Sequence, residues 1–267
     1  MLYKTDKKGY IVNEANSRKI QPYYRKILKK INQLYIDKLG SDLLSVYIRG
    51  SVSVGKTKAY ISDIDSIAII KRKLTRKNLL WTIKAANNLE KKYPRAGLVE
   101  LTVISLKELL ESKEYKNLRV YLKTQSVCLM GRDILPQLPK VKPGKKLAIY
   151  LYGDLFKELE TLKKIFSGGI TDHEYLFQKR PIKFWCVWMN RTLLRAGLGL
   201  VMLKKPIYSQ DLKTCFSVFI EEYPKYKEEA QQLLKWSIKP TNNKKLLFNF
   251  LDNFSPKFLK LWREAVK

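Results

Sequence analysis

Asp63 and Asp65 stand two residues apart at the head of the apolar run Ile64–Ile70 (IDSIAII). Side chains of an extended chain alternate between faces, so both carboxylates point the same way. Two like charges on one face repel unless a cation lies between them. A divalent metal pair does this in sites for in-line phosphoryl and nucleotidyl transfer. Such a site needs a third carboxylate, and Glu100 is the candidate. In residues 98–104 (LVELTVI), Val99, Leu101 and Val103 share one face, and Glu100, Thr102 and Ile104 share the other. A charge in an otherwise buried strand costs several kcal/mol unless it is paired or metal-bound, so Glu100 needs a reason to be there.

Upstream, residues 43–50 (LLSVYIRG) end at Gly50-Ser51. Glycine at that turn lets backbone N–H groups approach a phosphate closely, and the Ser51 hydroxyl adds a donor. Gly55 adds freedom further along the turn. Arg49, on the apolar strand directly before Gly50, is a candidate for phosphate charge, as is Lys56. Alone, an Asp-x-Asp pair or a Gly-Ser pair says little, because most are solvated loops or caps. The combined spacing is specific: Gly55 four residues after Ser51, Asp63 twelve after Ser51, and Glu100 about 35 residues beyond Asp65.

The elements that must hold these groups follow from periodicity. Residues 22–39 place Ile27, Leu28, Ile31, Leu34 and Tyr35 at helical spacing between Pro22 and Gly40. Three strands are expected, over 43–50, 64–70 and 98–104, with a turn over 51–62 and a helix over 75–93. Residues 106–113 and 114–125 then read as helices. This is a small α/β unit. Three prolines fall within 135–144 (LPQLPKVKPG), which marks a linker. Beyond it helices are expected over 145–166, 172–197, 208–235 and 244–266. The fold class is thus α+β: a mixed-sheet catalytic domain over 1–134, a linker over 135–144 and an all-helical domain over 145–267. Aromatic residues such as Trp185, Phe219 and Trp262 fall at helical spacings and read as core.

Charge narrows the partners. Lys and Arg number 53 against 24 Asp and Glu, a net +29 over 267 residues, spread over both halves. Such an excess favours a polyanion, although lysine outnumbers arginine enough for a general lysine bias to contribute. The cluster Lys71-Arg72-Lys73, with Arg76-Lys77 after it, follows the Asp-x-Asp strand and could track a nucleic-acid backbone. No known RNA-binding motif accompanies it. Three cysteines and one histidine, His173, lack metal-ligand spacing, which excludes a Cys/His zinc site. No apolar leader or membrane-length segment is present, so a cytoplasmic protein is expected.

On Gly50-Ser51, Gly55, Asp63-Ile64-Asp65 and Glu100 the sequence resembles the DNA polymerase β-like nucleotidyltransferase superfamily. The stretches Ser62-Asp63-Ile64-Asp65 and Val99-Glu100-Leu101-Thr102-Val103 look most like its small bacterial branch. That branch holds aminoglycoside adenylyltransferases and the nucleotidyltransferases of toxin–antitoxin systems. The resemblance covers about residues 20–105. It implies that Asp63, Asp65 and Glu100 bind Mg²⁺, with two ions and Mn²⁺ as an alternative metal, and that Glu100 is either the ligand completing the second metal site or the general base. It also implies that Gly50-Ser51 contact an NTP, and that NMP passes to an acceptor hydroxyl with release of pyrophosphate.

Antibiotic-modifying members of that branch use a Ser-Lys segment in the helical half to hold the triphosphate. Here Gln210 follows Ser209, and Lys213 stands one helical turn on; Ser209 and Lys213 are the candidates. That departure weakens the antibiotic assignment. A strongly basic chain is also a poor receptor for a polycation, so the expected acceptor is RNA, for example a tRNA end. The alternatives are a small molecule, a protein, or a non-catalytic nucleotide-binding role.

Overall fold

The computed structural model describes residues 2–60, 62–75, 77–169 and 180–267. It divides into two units, Ile11–Val141 and a helical unit of Met1–Tyr10 with Lys142–Lys267. The division falls inside the proline-rich stretch. The first ten residues go with the helical unit, not with the domain drawn over 1–134. Tyr3 explains why: its N–H donates to the Tyr208 carbonyl at 2.9 Å, and the two rings lie 5.3 Å apart.

In the first unit, α1 (Pro22–Leu39) begins with proline at its first turn, where a missing N–H costs nothing, and ends at Gly40. Strands β1 (Leu43–Arg49), β2 (Ile64–Ile70) and β3 (Val99–Ser105) follow, with α2 (Leu80–Lys92) between the last two. Then come α3 (Leu106–Glu111), α4 (Lys116–Gln125) and a fourth strand, β4 (Ser126–Gly131). The sheet order is β3-β2-β1-β4. β1 runs antiparallel to both β2 and β4, and β2 runs parallel to β3.

Alternation along the strands divides the core in two. Val46, Ile48, Ile64, Ala68, Val99 and Leu101 pack on one face with Ile27, Ile31 and Tyr35 of α1 and Ala86 of α2. Tyr47, Ile67, Ile69 and Ile104 face Leu109 of α3 and Leu122 of α4. Tyr47 also ties down the chain beyond the sheet: its hydroxyl donates to Asp133 Oδ1 at 2.9 Å and accepts from the Ile134 N–H at 2.6 Å.

In the helical unit, the helix expected over 145–166 is two, α5 (Lys145–Tyr152) and α6 (Leu155–Ser167), parted at Gly153-Asp154. Of the helix expected over 172–197, residues 172–179 lie outside the described residues, His173 among them. From Pro181 the chain forms α7 (Ile182–Met202). The expected 208–235 helix is broken at Pro224 into α8 (Leu212–Glu222) and α9 (Lys227–Ile238). α10 (Lys244–Val266) continues through Pro256. The aromatics Trp185, Phe219 and Trp262 are buried, as core residues should be. Cys186 and Cys215 are buried free thiols and Cys128 is half-buried; burial pushes the Cys215 thiol up to about 12. Among the described residues, no helix is long and apolar enough to cross a membrane.

Candidate active site

The register of three strands brings the charged residues together. Arg49 is opposite Asp65 across β1 and β2, and Asp65 is opposite Glu100 across β2 and β3. On the far side of β1, Arg49 is opposite Ser126 of β4. Arg49, Asp65 and Glu100 share the parity of Tyr47, Ile67 and Ile104, so all three stand on the sheet face covered by α3 and α4. Asp63, two residues before Asp65, has the same parity and lies at the entry to β2.

The Arg49 guanidinium sits inside this row. Its Nη2 is 3.3 Å from Asp65 Oδ1 and 3.9 Å from Glu100 Oε2. Its Cζ lies 5.5 Å from the centroid of the Tyr121 ring of α4. Only 19% of the Arg49 side chain is exposed, against 17% for Asp65 and 40% for Glu100. Burial disfavours the guanidinium charge, but Asp65, Glu100, Tyr121 and Asp63 outweigh it and hold the Arg49 pKa above its ordinary value. The other Glu100 oxygen, Oε1, accepts from Thr102 Oγ1 at 3.4 Å.

The Gly-Ser turn is built against the same residues. Gly50 has φ +75°, and a Cβ there would lie 3.3 Å from Asp65 Oδ2. A side chain would therefore strain the backbone and crowd the carboxylate. The Gly50 N–H donates to the Gln125 carbonyl at 3.1 Å, and the Lys56 N–H to the Ser51 carbonyl at 2.9 Å. Ser53, fully buried, places its hydroxyl 2.8 Å from the carbonyls of both Gly50 and Gln125. Gly55, φ +73°, passes so close to α1 that a Cβ would fall 2.6 Å from the Lys19 carbonyl oxygen. The turn is thus pinned to the end of α4 and to the segment before α1, with Ser51 half-buried and Lys56 exposed on it.

The oxygen donors Asp63, Asp65 and Glu100 fit a hard cation such as Mg²⁺. Among the described residues, however, no three Asp, Glu, His or Cys side chains are gathered so that they could hold a metal ion. The guanidinium lies where Asp65 and Glu100 would otherwise face one another.

The remaining sequence candidates fall elsewhere. Ser209 is fully buried in the helical unit, its hydroxyl accepting from the Asp211 N–H at 3.1 Å. Lys213 is exposed on α8. In the basic cluster, Lys71 is exposed; Arg72 pairs with Asp42 at 2.7 Å and Lys73 with Glu108 at 2.7 Å. Arg76 lies outside the described residues. Sequence reasoning missed Tyr121, Ser53 and the whole of β4. For β4 a signal existed, since Val127, Cys128, Leu129 and Met130 form an apolar run closed by Gly131.

No protein-family model and no curated protein matches the chain. Among solved structures it is similar to the spectinomycin adenyltransferase AAD(9) from Enterococcus faecialis, determined with ATP and spectinomycin. The TM-score is 0.55 at 16% identity, over 86% of this chain and 98% of that one. A mutant of the toxin–antitoxin pair MntA-HpeT also matches, at TM-score 0.30 and 18% identity, over 52% of this chain and 94% of that one. The likeness to the adenyltransferase is one of fold: an α+β chain with a mixed four-stranded sheet and a helical C-terminal region.

Proposed function

We propose that this protein is a metal-dependent nucleotidyltransferase that moves an NMP from an NTP to an acceptor hydroxyl. The observation that carries this reading is the in-register row Glu100–Asp65–Arg49, set directly beside a Gly50-Ser51 turn whose backbone passes close to Asp65. The row supplies carboxylates at the reacting centre, and the turn supplies backbone donors for phosphate. Asp63 and Asp65 would hold Mg²⁺, which when bound supplies charge stabilisation at the phosphoryl oxygens.

The chain's own groups do the rest. The Ser51 turn and Lys56 bind the triphosphate. Arg49 stabilises negative charge at the head of the turn. Glu100, the most exposed of the row, takes the proton of the acceptor hydroxyl. The acceptor oxygen bonds to the α-phosphorus, the bond from that phosphorus to the bridging oxygen breaks, and pyrophosphate leaves. NTP and Mg²⁺ are available in the cytoplasm.

Two acceptor classes are supported by different observations. The net charge of +29 favours RNA, such as a tRNA end. Likeness in fold, over 86% of this chain, to an adenyltransferase solved with spectinomycin favours a small molecule. Incubation with each labelled NTP, Mg²⁺, and either total RNA or a small-molecule fraction decides between them by which species takes up label. Label in neither fraction, with no pyrophosphate released, would overturn the enzyme reading.

A further inference from the structure

We propose that the sheet edge beside the carboxylate row is a docking surface for single-stranded RNA, with Tyr60 stacking on a base and Arg95, Lys26, Lys30 and Lys91 meeting phosphates. The proposal rests on the nucleotidyltransferase reading and names the acceptor class of that site.

Tyr60 belongs to the turn between β1 and β2. Its φ is +64°, a left-handed conformation that crowds the Cβ of an L-residue. At Gly50 and Gly55 the same turn uses glycine for such a φ. Backbone contacts hold Tyr60 in place. Its N–H donates to the Arg95 carbonyl at 2.9 Å. Lys58 and Ser62 close the turn around it: the Ser62 N–H donates to the Lys58 carbonyl at 2.8 Å, and the Lys58 N–H to Ser62 Oγ at 2.7 Å. The Tyr60 ring gains nothing within the fold. It is 68% exposed, and among the described residues it has no ring contact or hydrogen bond. A strained backbone that holds an aromatic ring out to solvent points to a ligand with a flat face.

Topology puts this ring at the end of the sheet where the row stands. β2 and β3 are parallel and begin at that edge, and antiparallel β1 ends there. Tyr60 precedes β2 and Arg95 precedes β3, and the Ile64 N–H joins the two approaches by donating to the Leu98 carbonyl at 2.8 Å. The start of α1 meets them from the face opposite the row. Tyr24 Oη is 3.5 Å from the Arg95 carbonyl, and the Arg95 guanidinium lies 5.1 Å over the Tyr23 ring. Burial raises the Tyr24 phenol above its ordinary pKa; Arg95 opposes the rise and Asp63 adds to it, so both charges lie within its reach.

Cations lead away from this edge. α2 ends at it with exposed Lys91, and α1 leaves it with exposed Lys26 and Lys30, one turn apart. Among the described residues no carboxylate pairs with these three lysines, whereas Arg72 and Lys73 are already paired with Asp42 and Glu108. The single carboxylate of α1, Asp37, lies at its far end and accepts from Gln33 Nε2 at 2.8 Å. An open aromatic ring joined to a track of unpaired cations is the combination that binds single strands: the ring takes a base that a duplex would keep stacked, and the cations follow the backbone.

Binding of a short labelled single-stranded RNA of mixed sequence, across a salt series and without NTP or metal, tests this. Changing Lys26, Lys30 and Lys91 together to Gln should flatten the log–log salt slope by about 2. Tyr60→Ala should weaken binding about 5-fold or more at every salt concentration with the slope kept, and Tyr60→Trp should retain binding. Tyr60→Gly relieves the left-handed φ, so it keeps the turn and should lose binding as Tyr60→Ala does. Unchanged affinity in both Tyr60→Ala and Tyr60→Gly, or an unchanged slope in the triple variant, would overturn the inference. So would poly-glutamate binding as tightly as RNA, which would assign the face to an acidic protein. The nucleotidyltransferase reading is judged separately, by pyrophosphate release: release by a chain whose RNA binding ignores these changes sinks only the docking surface.

Discussion

Arg49 and Glu100 lie on strands that never pair with each other, yet the guanidinium nitrogen of one is 3.9 Å from the carboxylate of the other. The strand between them makes this possible. β2 sets Asp65 in register with both neighbours, and the pleat turns all three side chains to the face under α4. A one-residue slip in either pairing would send one of the three to the opposite core. The chemistry of the site is therefore a consequence of strand register.

The two aspartates should separate catalysis from stability. Asp65→Ala leaves Arg49 partly buried without its nearest anion, at a cost of about 1–3 kcal/mol given the residual solvent screening. Asp63→Ala does not remove that short ion pair and should melt closer to wild type. Both should lose at least about 100-fold in nucleotidyl transfer, the order expected for groups acting at the reacting atoms. Melting curves beside a pyrophosphate-release assay check this. Equal melting temperatures for the two variants would contradict the ion-pair geometry.

Gly50→Ala combines two penalties. Its φ of +75° costs an L-residue roughly 1–2 kcal/mol, and the new methyl would meet Asp65 Oδ2 at 3.3 Å. Destabilisation of that order is expected, together with a fall in transfer greater than the loss of folded protein explains. Measured under conditions where the variant is fully folded, an unchanged kcat would show that the Asp65 position tolerates the displacement.

A pH effect should come from a different part of the first unit. Glu108 Oε1 pairs with Lys73 at 2.7 Å, and Oε2 accepts from Ser105 Oγ at 2.8 Å, at the N-terminus of α3. Burial alone would raise this carboxyl, but Lys73 and Ser105 more than offset it and hold its pKa below the ordinary glutamate value. A carboxyl lowered in the folded state stabilises above its unfolded pKa. That contribution is lost as pH falls from about 4.3 through the lowered value. Glu108→Gln should thus melt below wild type at pH 7, by the equivalent of about 0.5–1 kcal/mol. The gap should close as pH falls toward 3. A gap that stays constant with pH would rule out the ionised carboxylate as its source.

Much of this was legible in the sequence where a residue type conflicted with its element. Glu100 in an apolar strand and Asp65 at period two from Asp63 announced a shared face; for β3 the expected alternation holds, with Val99, Leu101 and Val103 in one core and Ile104 in the other. Arg49 was legible as a buried charge but not as a partner of Glu100, because lateral pairing across three strands is a tertiary fact. β4 escaped because its strand follows α4 without a turn signal; its apolar run reads equally well as a helix continued. Ser53 looked like one polar residue among several in a turn, yet its burial and two carbonyl neighbours make it the pin of that turn.

The acceptor question turns on charges that the fold has already spent in part. Of Lys71, Arg72 and Lys73, two are engaged: Arg72 with Asp42 and Lys73 with Glu108. Both side chains are largely exposed, 76% and 74%, and surface pairs of this kind are worth about 0–1 kcal/mol. An RNA phosphate could therefore compete for them, but it must displace a carboxylate that is held close by. Each phosphate neutralised on a single strand contributes roughly −0.7 to the log–log salt slope of binding. If all three residues bind RNA, changing them together to Gln should flatten the slope by about 2. If the two ion pairs hold, only Lys71 contributes and the change is about 0.7. Gel shifts across a salt series, with Lys71→Gln alone as the comparison, separate these cases. A slope unaffected by either variant, with label still appearing on a small molecule, would remove this cluster from the acceptor site and favour the small-molecule reading.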